Sequence, residues 1–129
     1  MTKQKLILFY TLVALTIVTT IFPQAPKRSD VPDKHKWNLA DMYPALPDWQ
    51  ADIKTVEARI SDFAAYKGKL GENSQNLLNA LNSYFGMLKI FYKAGTYAGN
   101  LSNEDVRISE NQALLQQLSA VGTKFGETA

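Results

Sequence analysis

The sequence predicts an all-α protein in which antiparallel helical hairpins form a three-helix layer, preceded by an extended arm and an N-terminal hydrophobic leader helix. Apolar residues recur at steps of three and four through most of residues 48–129. All five prolines lie between Pro23 and Pro47, and an uncharged run fills residues 6–22. With 46% hydrophobic and 20% charged residues, the chain of 129 residues has the composition of a folded globular domain.

The leader, residues 1–26, has the pattern of a signal peptide or a signal anchor. A short basic stretch precedes the apolar run of residues 6–22. As a helix this run is about 25 Å long, close to the apolar thickness of a bilayer. Pro23 stands where cleavage after Ala25 would need a small residue, which favours an uncleaved anchor. We therefore expect contact with a membrane through residues 6–22 and an exported or membrane-anchored location.

Residues 27–47 predict an extended, proline-rich arm without helical periodicity. Large apolar side chains are concentrated in its second half, at Trp37, Leu39, Met42 and Tyr43. Leaving them in water would be costly, so we expect this segment to dock on the helices that follow.

The helical region is assigned to residues 48–129. Its first helix begins with Asp48 as N-cap and ends near Gly68. Its apolar stripe is spaced by three and four residues. The stripe consists of Trp49, Ile53, Val56, Ile60 and Phe63.

The second helix is predicted to begin at Asn73 or Ser74 and to fray or kink near Gly95. One apolar stripe is formed by Leu77, Leu81, Tyr84, Leu88 and Tyr92. A second apolar sector lies on another side of the same helix, and one small core cannot cover both. We therefore predict an interface or channel wall formed by Tyr84, Met87, Ile90, Phe91, Ala94 and Tyr97.

The third helix is predicted to begin at Ser102, because Ser102 and Asp105 resemble a capping box. It runs nearly to the end of the chain. Its apolar stripe consists of Leu114, Leu118, Val121 and Phe125.

The sequence contains few of the residue types that catalytic sites use. The sequence has no cysteine and one histidine, His35, in a lysine-flanked stretch. Catalytic zinc needs three protein ligands, so we assign no catalytic residue, no metal ligand and no cofactor to this chain. Acidic and basic residues balance outside the leader, which argues against nucleic acid as a partner.

A family resemblance lies in the order of three blocks. They are Val31-Pro32-Asp33-Lys34-His35-Lys36-Trp37-Asn38-Leu39-Ala40-Asp41-Met42-Tyr43-Pro44, then Phe63-Ala64-Ala65-Tyr66-Lys67-Gly68-Lys69-Leu70-Gly71, then Ser102-Asn103-Glu104-Asp105-Val106-Arg107 with Asn111-Gln112-Ala113-Leu114. In order and spacing they resemble the opening of oligoendopeptidase F, a family of zinc metallopeptidases related to thimet oligopeptidase. The resemblance covers residues 31 to about 125.

The resemblance implies that the full-length protein cuts oligopeptides in a channel, of which these helices would form one wall. The zinc ligands and the general base would lie in a His-Glu-x-x-His helix far downstream, and no position here matches that motif. The partner of this chain would then be the missing C-terminal catalytic domain, and the chain by itself would be structural. The leader departs from a family that is usually cytoplasmic.

A second hypothesis remains open at this point. The chain could be a self-standing, membrane-anchored helical module that binds a peptide or a protein partner through aromatic side chains. The candidates are Tyr84, Phe91, Tyr92 and Tyr97, and core packing would explain the same side chains.

Overall fold

In the computed structural model, Lys3 and residues 26–128 are described. Three helices pack together: α1 (Leu46–Phe63), α2 (Ser74–Glu104) and α3 (Ser109–Thr128). This confirms the all-α prediction. Because α3 contacts α1 as well as α2, the helices form a bundle around a shared core, where the sequence had suggested an open layer.

The predicted leader run, residues 6–22, lies outside the described residues. Within the part that is described, none of the helices combines the length and the apolar character needed to cross a bilayer. The chain divides into two units, residues 1–36 and residues 37–129, and the bundle belongs to the second.

The continuous extended arm predicted for residues 27–47 is not supported. Among the described residues of the first unit, 3-10 turns form at Arg28–Asp30 and Asp33–His35, and the second unit opens with another at Leu39–Asp41. Local side-chain bonds favour these turns. The Asp30 carboxylate accepts from the Lys27 backbone N–H at 3.2 Å, and Lys36 donates to Asp33 at 2.9 Å.

Helix α1 begins two residues before the predicted N-cap. Pro47 lies in its first turn, where a missing N–H costs nothing. Asp48 caps the helix from within its first turn, because its carboxylate accepts a hydrogen bond from the Ala45 backbone N–H at 3.1 Å. The negative charge also suits the positive end of the helix dipole.

Helix α2 runs unbroken through Gly95, so it does not fray there as predicted. Its N-cap is Asn73, whose side chain accepts from the Asn76 backbone N–H at 2.8 Å. The α1–α2 connection turns at Gly68, where φ is +77°, a value that side chains with a Cβ rarely tolerate.

The predicted start of the third helix at Ser102 is wrong, because α2 continues to Glu104 and α3 begins at Ser109. Tertiary bonds explain the difference. Gln112 donates to the buried Ser102 hydroxyl at 2.7 Å, and Asn111 donates to the Leu101 carbonyl at 3.0 Å. The Ser102 hydroxyl, which a local capping box would have used, is therefore bonded to α3.

The core sits where the three helices meet, and the helix directions follow from its contacts. Trp49 in the first turn of α1 donates from Nε1 to the Ala94 carbonyl at 2.9 Å, near the far end of α2. α1 and α2 are therefore antiparallel. On α3, a Cβ added at Gly122 would lie 3.0 Å from Cζ of Phe91 on α2, so this glycine permits a close α2–α3 approach.

Candidate interaction surface

A polar cluster fastens the segment before α1 to the bundle. The Tyr43 hydroxyl donates to the Asp52 carboxylate at 2.7 Å, and Lys93 Nζ lies 3.6 Å from the same carboxylate. Lys93 also lies 3.9 Å from the centroid of the Tyr43 ring, a cation–π distance. Tyr43 packs edge-on against Tyr97 with ring centroids 5.1 Å apart.

This cluster confirms part of the docking prediction. Tyr43 is buried, and Leu39 and Met42 pack against the core. Trp37 is different, because its side chain is 75% exposed. The contacts of Tyr43 with Asp52, Lys93 and Tyr97 therefore anchor the segment to the bundle.

Burial raises the pKa of the Tyr43 hydroxyl above its usual value of 10.0, and the hydrogen bond to Asp52 and the charge of Asp52 raise it further. The folded protein thus holds this proton at pH values where the unfolded chain releases it. The resulting stabilisation is complete below pH 10 and is lost as the pH rises through the folded-state value.

Tyr43→Phe is expected to cost about 1.5–3 kcal/mol of unfolding free energy at pH 7, because it removes a hydrogen bond to a charged group. Above pH 10 the difference between wild type and variant should narrow, since only the wild type loses stability through this hydroxyl. Urea unfolding from pH 7 to pH 11 would measure both effects, with Tyr92→Phe, an exposed position, as the control. A difference that stays constant with pH would contradict the assignment.

The six residues predicted as an interface or channel wall are brought together on α2, but mainly against the core of this chain. Met87, Ala94 and Tyr97 are buried. Tyr84, Ile90 and Phe91 are partly buried and pack against the same core. The role of the six at an interface or channel wall stays a prediction.

The exposed apolar face of α2 lies on the other sector, which the sequence had assigned to the core. We call it the α2 stripe and define it as Leu78, Leu81, Phe85, Leu88 and Tyr92. Leu88 is partly buried, and the other four side chains are between 44% and 64% exposed. The core stripe predicted for α2 is therefore wrong at Leu77, Leu81 and Tyr92, which are exposed, whereas Tyr84 and Leu88 do pack against the core.

Small side chains explain why the sector of α2 that was predicted as an interface is buried, while the α2 stripe is exposed. Ala80, Ala94 and Ala98 are buried on the sector that meets α1 and α3. Short side chains allow helix backbones to approach closely, as the indole bond to the Ala94 carbonyl requires. The alternation of small and large residues was the signal in the sequence that could have identified the core side.

A groove of about 220 Å³ adjoins the α2 stripe at its N-terminal end. It lies between the end of α1, the α1–α2 connection and the start of α2. Apolar and aromatic side chains line it: Phe63, Leu70, Leu77, Ala80, Leu81 and Tyr84. The stripe and the groove together offer a surface for an apolar partner and contain no charged group.

A second hollow, of about 240 Å³, surrounds the exposed indole of Trp37. Asn100, Asn103 and Glu104 at the end of α2 complete its lining. Nothing in the sequence indicated that these polar residues lie beside Trp37, because they meet it only through their shared position at one end of α2.

The described residues contain no group of three His, Cys, Asp or Glu side chains that could hold a metal ion. His35 is exposed within a 3-10 turn. Asp105 directly follows α2, and its carboxylate accepts hydrogen bonds from the Arg107 guanidinium. These bonds lower the pKa of the Asp105 carboxyl to about 2. The donor set therefore does not fit a zinc centre.

Comparison with known proteins identifies relatives among bacterial oligopeptidases. The chain is 31% identical to oligopeptidase PepF of Bacillus subtilis (strain 168) over 91 residues, which are 70% of this chain and 14% of that protein. It is 24% identical over 104 residues to a plasmid-encoded oligoendopeptidase F of Lactococcus lactis subsp. cremoris, and 23% identical over 101 residues to the group B oligopeptidase PepB of Streptococcus agalactiae serotype III (strain NEM316). These matches cover 80% and 78% of this chain, and 17% of each relative.

No protein-family profile matches the chain, and neither does any solved structure. The chain spans 14–17% of the length of the curated relatives it matches. Over 70–80% of its own length, this chain is a partial homologue of the oligopeptidase PepF and oligoendopeptidase F family.

Proposed function

We propose that this chain is the N-terminal helical part of an oligoendopeptidase F-like zinc metallopeptidase whose full-length form hydrolyses oligopeptides. The observation that carries the proposal is the 31% identity to oligopeptidase PepF over 91 residues. The Trp-Asn-Leu-x-Asp-x-Tyr-Pro block supports it, because Tyr43 from that block is an anchor of the bundle.

In this proposal the chain has a structural role. The described residues offer no three-ligand metal group, so the zinc ion and its general base would be held elsewhere in the full-length protein. The bundle would instead supply a rigid helical wall, which its shared core and the Trp49–Ala94 bond make stiff.

A chimera tests the proposal directly. The segment of Bacillus subtilis oligopeptidase PepF that matches this chain would be replaced by the matching residues of this chain. We expect the chimera to hydrolyse a fluorogenic oligopeptide within about tenfold of the parent rate, because a wall with the same helical packing would leave the catalytic groups in position. The parent enzyme with the segment deleted serves as the negative control.

A chimera that folds with the parent's thermal stability but has no peptidase activity would contradict the proposal. The isolated chain, supplied with zinc, should show no hydrolysis above background. Zinc-dependent turnover by the isolated chain would also contradict it, because the catalytic groups would then lie within this chain.

Export or membrane anchoring through residues 6–22 remains a proposal based on the basic stretch and the apolar run. Membrane fractionation of cells that express the whole chain would test it. Recovery of the chain in the fraction that contains the cytoplasm would contradict it.

A further inference from the structure

The α2 stripe has the spacing of a helix-packing seam. Its members follow one another at steps of three, four, three and four residues, from Leu78 to Tyr92. At 100° per residue they fall within a sector of about 80°, and their span along the axis is about 21 Å. This is the a/d pattern with which one helix packs along another at a shallow angle.

Of the five residues of the α2 stripe, only Leu88 packs against the core of the bundle. The buried core residues of α2 lie on the other sector, and the Phe85 ring packs edge-on against the ring of Tyr84. One heptad beyond Tyr92 the seam reaches Gly99, where an added Cβ would meet nothing within 4 Å. The surface is therefore an open, straight and apolar track on a long helix.

The charge beside the α2 stripe indicates which kind of helix could pack on it. Lys89 flanks the seam, is exposed, and has no ion pair within the described part of the chain. From Ser74 to Asn103, α2 contains no acidic residue. A second copy of α2 would thus bring another lysine and no carboxylate, whereas a helix with acidic residues beside its apolar face would complement Lys89.

We propose that the α2 stripe seats one amphipathic helix, with acidic residues flanking its apolar face, supplied by the rest of the full-length oligopeptidase. This inference rests on the proposed function, because that function places this chain inside a longer protein. In the relatives, 83% or more of each chain lies outside the matched segment, which leaves room for such a helix. The seated helix would cover the four exposed members of the stripe.

Thiol labelling tests whether a helix covers the α2 stripe, and it does so without measuring peptidase activity. The chain has no cysteine, so single Phe85→Cys and Ser61→Cys variants each carry one thiol. Position 85 lies on the stripe, and Ser61 is an exposed control on α1. Both variants would be made in the isolated full chain and in the PepF chimera described above, with the other cysteines of the chimera changed to serine.

In the isolated chain both thiols should react with a maleimide at rates within about threefold of each other, at every protein concentration. In the folded chimera the Phe85→Cys thiol should react at least about tenfold more slowly, whereas the Ser61→Cys thiol should not change. Unprotected Phe85→Cys in the folded chimera would overturn the inference. Protection in the isolated chain that increases with concentration would also overturn it, because a second copy would then be the occupant.

A charge reversal tests the chemistry of the seated helix. Lys89→Glu in the chimera should weaken the protection of the Phe85→Cys thiol by about threefold, the size of a surface ion-pair effect. Lys54→Glu, at an exposed position on α1, should leave it unchanged. Equal protection in both variants would overturn the acidic character of the partner.

The two proposals fail separately. A chimera that is inactive but protects the Phe85→Cys thiol would refute the enzymatic function and support the seat. A chimera that is active and leaves the thiol unprotected would support the function and refute the seat.

Discussion

Trp49→Ala should destabilise the bundle by about 3–5 kcal/mol, as large aromatic-to-alanine changes in cores do. The Trp49 side chain has no solvent exposure, and its Nε1 donates to the Ala94 carbonyl from within the core. The substitution opens a cavity and removes that bond from a buried acceptor. Small domains have a total stability of about 5–15 kcal/mol, so we expect a large fall in the urea midpoint.

The chain contains its own control, because it has two tryptophans. Trp37→Ala should change the unfolding free energy by less than about 0.5 kcal/mol, since the Trp37 side chain is mostly in water. If Trp49→Ala does not fold, the milder Trp49→Phe keeps the comparison measurable. Trp37→Phe leaves Trp49 as the single indole, and its emission should be blue-shifted in the folded state. Equal costs at the two positions would contradict the structure.

Met87→Ala should cost about 2–5 kcal/mol, because Met87 is fully buried at the centre of α2. Leu81→Ala is the matched control on the same helix and should cost no more than about 1 kcal/mol, since the Leu81 side chain is 44% exposed. Methionine and leucine have similar helix propensities, so the difference between the variants reports packing alone.

Thermal and urea unfolding of the isolated chain would measure this pair. A larger cost for Leu81→Ala than for Met87→Ala would mean that the stripe faces the core. That result would remove the basis for a helix seat on the α2 stripe.

The periodicity of the sequence predicted three helices, and the local chemistry predicted Asn73 as the cap of α2. Neither the periodicity nor the local chemistry predicted which apolar sector of α2 is buried. A helical period defines faces, but the choice between two apolar faces depends on how closely neighbouring helices approach. The alanines at 80, 94 and 98 decide that approach, and a hydrophobicity count undervalues them.

The start of α3 could not be predicted from local pattern for a related reason. Ser102 and Asp105 have the spacing of a capping box, but Gln112 from the next helix bonds the Ser102 hydroxyl. Tertiary contacts thus override the local preference. Within the Trp-Asn-Leu-x-Asp-x-Tyr-Pro block, Trp37 and Tyr43 look equally apolar in sequence, yet only Tyr43 is buried.

The bond between the Trp49 indole and the Ala94 carbonyl has a consequence for mutational tolerance. Since the acceptor is a backbone atom, the chemistry of the side chain at position 94 cannot supply or abolish it. The volume of that side chain can, because Ala94 is fully enclosed. We therefore expect position 94 to be constrained by volume first: glycine keeps the acceptor at a cost in helix propensity, whereas valine or leucine would overpack the core.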